Sequence, residues 1–460
     1  MGITNKVIFL NKQRAYFETG VTRSFAFRKE KLKKLLKALN DFELEILAAL
    51  KADLHKHEME AYASEIGLLK LEIKHSLQHL SQWMETEYVP TPLYHWPSSS
   101  FIQKDPLGVV LIIGPWNYPF MLLFGPLISA IAAGNCVCIK PSNQAPHTAA
   151  VSEKMIRSIF SEELVTVVQG SGASIGPELI QKFRFDHIFF TGSVDVGKQI
   201  MRMAAEELVP VTLELGGKSP CVIDENIPLK IAAKRVAWSK FWNAGQTCVG
   251  PDYLLVNAKV ADAFLVELLN EIKVLFGENP EVSESYGRII NDKRFEKLLS
   301  YLKQGKIVTG GENTPASRYL APTVIDDLNE DAAVMQEEIF GPILPIFRFQ
   351  TNEEALSIIK KHPFPLSFYL FTKNKKTEKY FLQHLQFGGG GINIAFGHLT
   401  NVDLPFGGIG YSGMGSYHGK YGFDTFTHLK SIMKTPFFPD IFIRYQPFKN
   451  KLKWVKWFMG

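Results

Sequence analysis

The chain has 460 residues, of which 46% are hydrophobic and 21% are charged, as is typical of a soluble globular protein with two domains. Its formal net charge is +5, and residues 436–460 carry a surplus of four positive charges, so the nearly neutral remainder gives no reason to expect a nucleic acid partner. Four cysteines are too few for a disulfide framework, and no apolar run reaches the roughly 18 residues of a membrane helix.

The N-terminal segment Met1–Lys6 lacks the long apolar core of a secretory signal. It also has Lys6 where a myristoylation signal requires serine or threonine. Together with the low cysteine content, these features predict a reducing compartment, and we expect a cytoplasmic location.

Leucines at helical spacing predict helices from about residue 24 to residue 84, and residues 85–103, with three prolines, predict an extended excursion or hairpin. From Val109 onward, apolar strands alternate with helices, which predicts a mainly parallel sheet covered on both faces. The predicted strands are 109–113, 137–140, 166–169, 187–191, 253–256 and 367–371. The predicted helices between them are 128–133, 148–160, 229–241, 261–276 and 377–385.

Three short motifs carry residue types suited to catalysis. Cys248 follows the small and amide residues Asn243-Ala244-Gly245-Gln246-Thr247, which allow a tight turn that exposes a thiol. Glu214 ends an apolar strand before a Gly-Gly turn, where partial desolvation suits a general base. Asn117 directly follows the strand 109–113, where its amide suits an oxyanion donor. Taken singly, each has an ordinary alternative: a buried cysteine, a solvated glutamate and a turn asparagine.

Together these motifs closely resemble the aldehyde dehydrogenase superfamily, in particular its class 3, fatty-aldehyde-like branch. The resemblance extends from Asp53 to about Thr435. Its further motifs are Lys140-Pro141-Ser142, Phe190-Thr191-Gly192-Ser193, Glu338-Ile339-Phe340-Gly341-Pro342 and Leu404-Pro405-Phe406-Gly407-Gly408. The run from Ser412 to Lys420 is similar to the class 3 branch specifically.

The resemblance implies an α/β fold with three parts. A Rossmann-type NAD(P)-binding domain is expected over residues 1–84 and 104–213, and an α/β catalytic domain over residues 214–390. A small oligomerisation element is expected from the hairpin 85–103 and the C-terminal segment 391–460, which implies a homodimer.

The same resemblance implies a mechanism of aldehyde oxidation. The Cys248 thiolate attacks the aldehyde carbonyl and gives a thiohemiacetal, whose oxyanion is held by the Asn117 side chain and the Cys248 backbone N–H. Hydride transfer to the nicotinamide leaves a thioester, and Glu214 activates the water that hydrolyses it. The implied substrates are medium-chain or long-chain aliphatic aldehydes, or aromatic aldehydes.

Eight positions are expected, again by resemblance, to contact NAD or NADP: Trp116, Lys140, Gly192, Ser193, Gly197, Leu215, Glu338 and Phe340. Lys140 would reach the adenosine ribose, and the helix that opens at Gly192 would face the pyrophosphate. Glu338 would bind the nicotinamide ribose. The chain departs from many relatives at Asn143, where they carry a glutamate that repels a 2′-phosphate, so we expect NADP to be accepted.

A second glycine-rich run, Gly408 to Gly413, fits the G-x-G-x-x-G dinucleotide pattern but follows no apolar strand. We interpret it as a flexible loop near the substrate entrance. No metal site is expected, because His55, His57 and Glu58 lack the His-Glu-x-x-His spacing.

Two alternative functions remain open. One is a CoA-acylating or acyl-reducing relative, which uses the same cysteine but passes the acyl group to another thiol. Glu214 argues against it because a thiol acceptor needs no water-activating base. The other is a non-catalytic binding protein on the same fold, which the presence of Cys248, Glu214 and Asn117 disfavours.

The C-terminal tail combines its lysines with Trp454, Trp457 and Phe458. This mixture is compatible with weak contact with an anionic membrane surface. It is also compatible with a tail that packs on a neighbouring domain or stays loose, and we favour this second interpretation.

Overall fold

The computed structural model of this protein describes residues 3–459. The other residues are Met1, Gly2 and Gly460, and the part of the targeting expectation that rests on Met1 and Gly2 lies outside the described residues. Within residues 3–459, no helix is both long and apolar enough to span a bilayer.

The N-terminal part of the chain is helical, as predicted. Its helices are Ile3–Glu18, Phe25–Asp41, Glu43–Leu54, Glu58–Ala61 and Gly67–Met84, with a single π-helical turn at Tyr62–Ile66. Leu32, Leu35 and Leu39 of the amphipathic helix Phe25–Asp41 are fully buried in the first of two hydrophobic cores, and Leu36 is partly buried against it.

The first large sheet has six strands, five of them parallel. Their spatial order is Gly413–Met414, Val211–Glu214, His187–Thr191, Val109–Ile113, Cys136–Lys140 and Val165–Val167. The helices that follow its strands are Met121–Ala133, Pro146–Ile159, Gly172–Lys182 and Val194–Ala205. Every residue of Val109–Ile113 is buried, because helices cover both faces of the sheet.

The second large sheet has seven strands around the second core. Their order is Lys306–Thr309, Thr323–Asp326, Ile343–Phe349, Tyr253–Asn257, Pro220–Ile223, Ser367–Phe371 and Gly389–Ile392. The helices of this part are Leu229–Phe241, Ala261–Phe276, Asp292–Tyr301, Ala333–Gln336, Asn352–Lys360 and Lys375–His384. A two-stranded ribbon joins Asn313–Thr314 to Tyr319–Leu320.

A small antiparallel sheet contains the predicted hairpin. Its strands are Glu87–Val89, Ser99–Pro106 and Thr427–Lys434. The last helix, Leu452–Met459, lies beside the turn Leu93–His95.

The first part of the predicted oligomerisation segment 391–460 packs into the first core. Phe406, Tyr417, Phe423 and Phe426 are buried in the first core, and the short helices Gly397–Thr400 and Gly419–Thr425 lie in the same stretch. Aromatic side chains in this segment complete the core under the first sheet, so only the part from about Thr427 onward belongs to the small sheet and the tail.

The end of the second glycine-rich run, Gly408 to Gly413, is joined to the first sheet. Gly413 pairs with Glu214 in antiparallel register, and the Leu215 N–H donates to the Ser412 carbonyl at 3.0 Å. A Cβ on Gly413 would overlap the Leu213 carbonyl, so glycine permits this close approach of two backbones. The run therefore ends in the short edge strand Gly413–Met414, and Gly410–Ser412 forms a 3-10 turn just before it.

Candidate active site

Three of the predicted loops meet where parallel strands end. The strands Val109–Ile113, His187–Thr191 and Val211–Glu214 are neighbours in the first sheet, and their carboxyl ends point to one edge. The crossover direction reverses between the first two, which is the point where open α/β sheets bind ligands. The Asn117 loop, the Gly192 turn and Glu214 follow these three strands directly.

The cysteine loop begins where the helix Leu229–Phe241 ends. Asn243, Ala244 and Gly245 have successive φ values of 54°, 49° and 73°, all in the left-handed region. Each non-glycine residue there costs about 1–2 kcal/mol, and such strain concentrates at functional sites. A Cβ on Gly245 would overlap the Gly341 backbone, so the loop is pressed against the segment that follows Glu338.

Asn117 joins the two loops that carry the predicted oxyanion donors. Its side-chain amide is buried and donates to the Gln246 carbonyl at 3.1 Å. The next residue, Tyr118, shares a 2.6 Å hydrogen bond with the Thr247 hydroxyl. An asparagine amide has two hydrogens, so one remains for a second acceptor.

Cys248 differs from the other three cysteines because its side chain is only partly buried, whereas they are fully enclosed. Burial raises the pKa of the Cys248 thiol to about 12, and the nearby carboxylates of Glu338 and Glu214 add to the increase. Backbone hydrogen bonds from Val249 and Cys248 act in the opposite direction on this pKa. The thiol is therefore protonated at neutral pH in this state, and positive charge beside the sulfur would favour the thiolate.

Glu214 is a buried carboxyl group with unused hydrogen-bonding capacity. Its side chain is 3% exposed, and neither carboxyl oxygen has a hydrogen-bond partner among residues 3–459. Burial raises the pKa of Glu214 well above its ordinary value. A buried polar group without a partner calls for an explanation, and a water or substrate bound during a reaction provides one.

Glu338 faces the same sulfur from the second core. Burial raises its pKa to about 8, Asp252 adds to the increase, and Arg294 and Lys218 oppose it. A Cβ on Gly216 would overlap the Glu338 carboxylate, so the Glu338 side chain packs directly against the turn after Glu214. Phe340 has a φ of 50° and lies edge-to-face with Trp116 at 5.1 Å between ring centres.

The predicted cofactor residues form a connected surface. Ser193 precedes the helix Val194–Ala205 without a side-chain cap, so its first N–H groups remain available to an anion. Gly197 packs so closely on Leu215 that a Cβ would lie 2.6 Å from its Cδ2. A Cβ on Gly192 would likewise overlap the Phe190 ring. Glycines at these two positions suit a bound dinucleotide, because its phosphates require the protein backbone to approach closely.

Lys140 ends the strand next to Val109–Ile113, and its carbonyl accepts from the Gly114 N–H at 3.1 Å. Its buried ammonium donates to the Pro141 carbonyl at 3.3 Å. Lys140 thus lies at the same sheet edge as the Asn117 loop. Asn143, three residues later, is exposed.

Sequence reasoning assigned no role to several residues around this site. Arg294 donates to the carbonyls of Glu338 and Ile339, at 3.1 Å for Glu338, and so holds the Glu338 loop. Tyr417 is fully buried, and its hydroxyl has no partner within the described chain. The Glu214 and Cys248 charges help to raise the Tyr417 pKa, which places its ring beside both. The class 3 motif contains Tyr417, but no spacing rule singled it out.

A profile of the aldehyde dehydrogenase family matches residues 10–432 of the chain. The chain is 47% identical over 447 residues to 4,4'-diaponeurosporen-aldehyde dehydrogenase of Staphylococcus aureus, with 97% of each protein covered. It is 42% identical over 456 residues to aldehyde dehydrogenase family 3 member A2 of Macaca fascicularis, covering 98% of this chain and 93% of that one.

Solved structures agree with this likeness. The substrate-bound state of Staphylococcus aureus AldH has a TM-score of 0.97 and 46% identity, with both chains fully covered. The NAD+ complex of an aldehyde dehydrogenase from Bacillus cereus has a TM-score of 0.84 and 27% identity, covering 93% of this chain and 88% of that one. The predicted superfamily, its class 3 branch and the α/β fold are confirmed.

Proposed function

This chain belongs to the aldehyde dehydrogenase family, and we propose that it oxidises aldehydes to carboxylic acids with NAD or NADP through a thioester on Cys248. The observation that carries the proposed chemistry is Glu214. Its buried carboxyl group has no hydrogen-bond partner among the described residues, and it lies close enough to Cys248 to raise the thiol pKa. A water placed between the two groups would meet both a base and an acyl carbon.

In this proposal, the side chains act in sequence. The Cys248 sulfur attacks the carbonyl carbon, and the Asn117 amide and the Cys248 backbone N–H donate to the resulting oxyanion. After oxidation, Glu214 takes a proton from water, which attacks the thioester carbonyl and releases the acid and the thiol. Removing one oxyanion donor would cost roughly 10²–10³ in rate.

The residues present fit a nicotinamide dinucleotide, which supplies the two-electron acceptor when bound. Gly192, Ser193 and Gly197 would hold the pyrophosphate, and Lys140 would hold the adenosine ribose. The rings of Trp116 and Phe340, which are in edge-to-face contact, would lie at the nicotinamide end, together with Glu338 and the Leu215 carbonyl. An NAD+ complex of the Bacillus cereus relative supports this cofactor class.

Asn143 supports the use of both cofactors. A glutamate at this position would repel a 2′-phosphate, whereas a neutral exposed amide removes that conflict. We therefore expect turnover with NADP as well as NAD.

One experiment tests the activity and the cofactor choice together. The protein is incubated with decanal and saturating NAD or NADP, with and without coenzyme A, while the absorbance of the reduced nicotinamide is followed. We expect signal with both cofactors that coenzyme A leaves unchanged, because Glu214 lets water accept the acyl group. Signal only with coenzyme A would favour the acyl-transferring alternative, and no signal with any aldehyde would favour a binding protein. Signal with NAD alone would refute only the argument from Asn143.

The proposed substrates are medium-chain or long-chain aliphatic aldehydes, or aromatic aldehydes. Trp238 lies edge-to-face with both Trp242 and Phe396, so aromatic rings cluster at the end of the helix that precedes the cysteine loop. The relative from Staphylococcus aureus is named as a 4,4'-diaponeurosporen-aldehyde dehydrogenase.

We further propose a cytoplasmic homodimer with weak membrane contact through its tail. The edge strand Thr427–Lys434 pairs on one side only within the described chain, so its other side offers a template for a second copy. The tail packs on the turn at Leu93–His95, where Arg444 donates to the Tyr94 carbonyl at 3.2 Å, yet Trp457 stays 74% exposed. The Phe458 side chain lies outside the described part.

Sedimentation with and without anionic liposomes tests both points, using the full chain and a chain that ends after Thr435. We expect a dimer mass for both chains without liposomes, and partial pelleting with liposomes that needs the tail and falls as salt rises. A monomer mass would refute the dimer. Equal pelleting of the two chains would refute the membrane role of the tail.

A further inference from the structure

A buried ionic network lies directly behind the two loops that carry Asn117 and Cys248. Lys56 forms an ion pair with Glu65, and both side chains are completely excluded from solvent. Desolvating such a pair is costly, and removing one partner leaves an uncompensated buried charge. The hydrogen bonds that these buried charges make to neighbouring loops show which parts of the chain the network holds in place.

Lys56 binds the backbone of the Asn117 loop. Its ammonium donates to the Asn117 carbonyl at 3.1 Å and lies 4.1 Å from the centre of the Tyr118 ring. The Asn117 backbone is therefore fixed by a charge-assisted hydrogen bond, while the Asn117 side chain remains directed at the cysteine loop.

Glu65 fixes the other end of the same loop. Its second carboxyl oxygen accepts from the Phe120 N–H at 2.9 Å and from the Met121 N–H at 3.1 Å. The helix Met121–Ala133 begins there without a side-chain cap of its own, so Glu65 supplies the missing acceptor from a distant segment. Glu65 lies in the π-helical turn Tyr62–Ile66, a feature often found at functional sites.

Glu60 holds the start of the cysteine loop. Its carboxyl group accepts from the Asn243 N–H at 2.9 Å, at the first left-handed residue of that loop. The Asn243 side chain in turn donates to the carbonyls of Asn117 and Gln246, at 2.9 Å and 3.1 Å. Burial raises the pKa of Glu60 to about 7, Lys56 and the Asn243 N–H oppose this, and Glu65 adds to it.

We propose that Lys56, Glu60 and Glu65 are positioning residues that set the Asn117 amide against the Cys248 loop. All three lie within one stretch of ten residues, so a single short segment of the chain contacts both loops. The proposal rests on the proposed function, because it assigns the network to the oxyanion geometry of that reaction. The network acts through Asn117 and Asn243.

Acylation of Cys248 by 4-nitrophenyl acetate reports this geometry without a cofactor. The Cys248 thiol gives up its proton to the solvent as its sulfur attacks the ester carbonyl, the bond to the aryl oxygen breaks, 4-nitrophenolate leaves and the acetyl group stays on sulfur. The variants are Lys56→Met, Asn117→Ala and the double variant, and the matched control is Lys51→Met, an exposed lysine on the preceding helix. Thermal unfolding of each variant is measured alongside.

We expect Lys56→Met to slow acylation about 10- to 100-fold while Lys51→Met has no effect, because small misplacements of reacting groups have large costs. In the Asn117→Ala background, Lys56→Met should slow acylation by less than about twofold, since its effect passes through Asn117. The positioning role would be refuted if Lys56→Met slowed acylation by the same factor in the wild-type and Asn117→Ala backgrounds. It would also be refuted if Lys56→Met lowered thermal stability but left the acylation rate unchanged. A wild-type rate for Asn117→Ala would instead overturn the oxyanion role in the proposed function.

A second pair of variants keeps the proposal testable if Lys56→Met does not fold. Glu60→Gln retains an acceptor for the Asn243 N–H, whereas Glu60→Leu removes it. We expect acylation within about threefold of wild type for Glu60→Gln and a loss of roughly tenfold or more for Glu60→Leu, with Glu58→Gln as the exposed control. Equal acylation rates for the two Glu60 variants would refute the positioning role.

Discussion

Replacing Cys248 by serine is expected to lower aldehyde oxidation by about 10⁴-fold or more while cofactor binding stays unchanged. The proposed reaction begins with a sulfur nucleophile, and a serine hydroxyl is far less acidic than a thiol. Nearby Glu214 and Glu338 already disfavour a negative charge at this position. The serine oxygen would therefore remain protonated and unreactive. The measurement is steady-state turnover with decanal together with cofactor binding by fluorescence titration.

A matched control is available in the second core. Cys221→Ala removes a fully buried thiol that the proposed reaction does not use, and burial raises the Cys221 pKa, which disfavours its thiolate. We expect this control to lose some thermal stability and to keep its turnover. Undiminished oxidation by Cys248→Ser, in a folded protein that binds cofactor, would remove the basis of the proposed mechanism.

Much of the first sheet is predictable because its strands are continuous apolar runs between glycine-rich turns. The predicted limits of His187–Thr191, Leu229–Phe241 and Ala261–Phe276 agree with the structure. Burial on both faces of a parallel sheet leaves little freedom in such segments. Residues 128–133 close the helix Met121–Ala133 before Gly134, as predicted, and Glu65 caps the start of this helix from a distant part of the chain.

The strands between residues 306 and 349 were not predicted. Lys306–Thr309 is a partly exposed edge strand, and Ile343–Phe349 contains Pro345, which argues against a strand when only the local sequence is considered. Pairing with Tyr253–Asn257 stabilises this segment as a strand, and that neighbour is nearly 90 residues away in the chain. Long-range pairing decided these elements, and local propensity did not.

The site shows the same division. Short motifs contain Cys248, Glu214 and Asn117, and their residue types indicate the chemistry directly. Their loops meet because the sheet brings the ends of neighbouring strands together. Lys56 and Glu60 stand in a charged helical stretch that resembles a solvated surface. Their partners Asn117 and Asn243 are 61 and 183 residues away, so only the folded chain reveals that these charges are buried.

The second large effect is expected for Glu214→Gln, which should reduce steady-state turnover by roughly 10²–10⁴-fold while the first turnover survives. A glutamine cannot take a proton from water, so the thioester on Cys248 should accumulate. The expected signs are a burst of reduced nicotinamide close to one per active site and an acyl mass on the Cys248 peptide. An exposed control is Glu207→Gln.

The raised pKa of Glu214 predicts how turnover depends on pH. Burial raises the Glu214 pKa, and the group acts as a base only after it loses its proton, so wild-type turnover should rise with pH through that raised value. Glu214→Gln should lose this rise. Added coenzyme A should restore product release in the variant, because a thiol attacks a thioester without a water-activating base. A variant that turns over normally without any thiol would show that water is activated elsewhere, for which Glu338, the other carboxyl group facing the sulfur, would be the group to test.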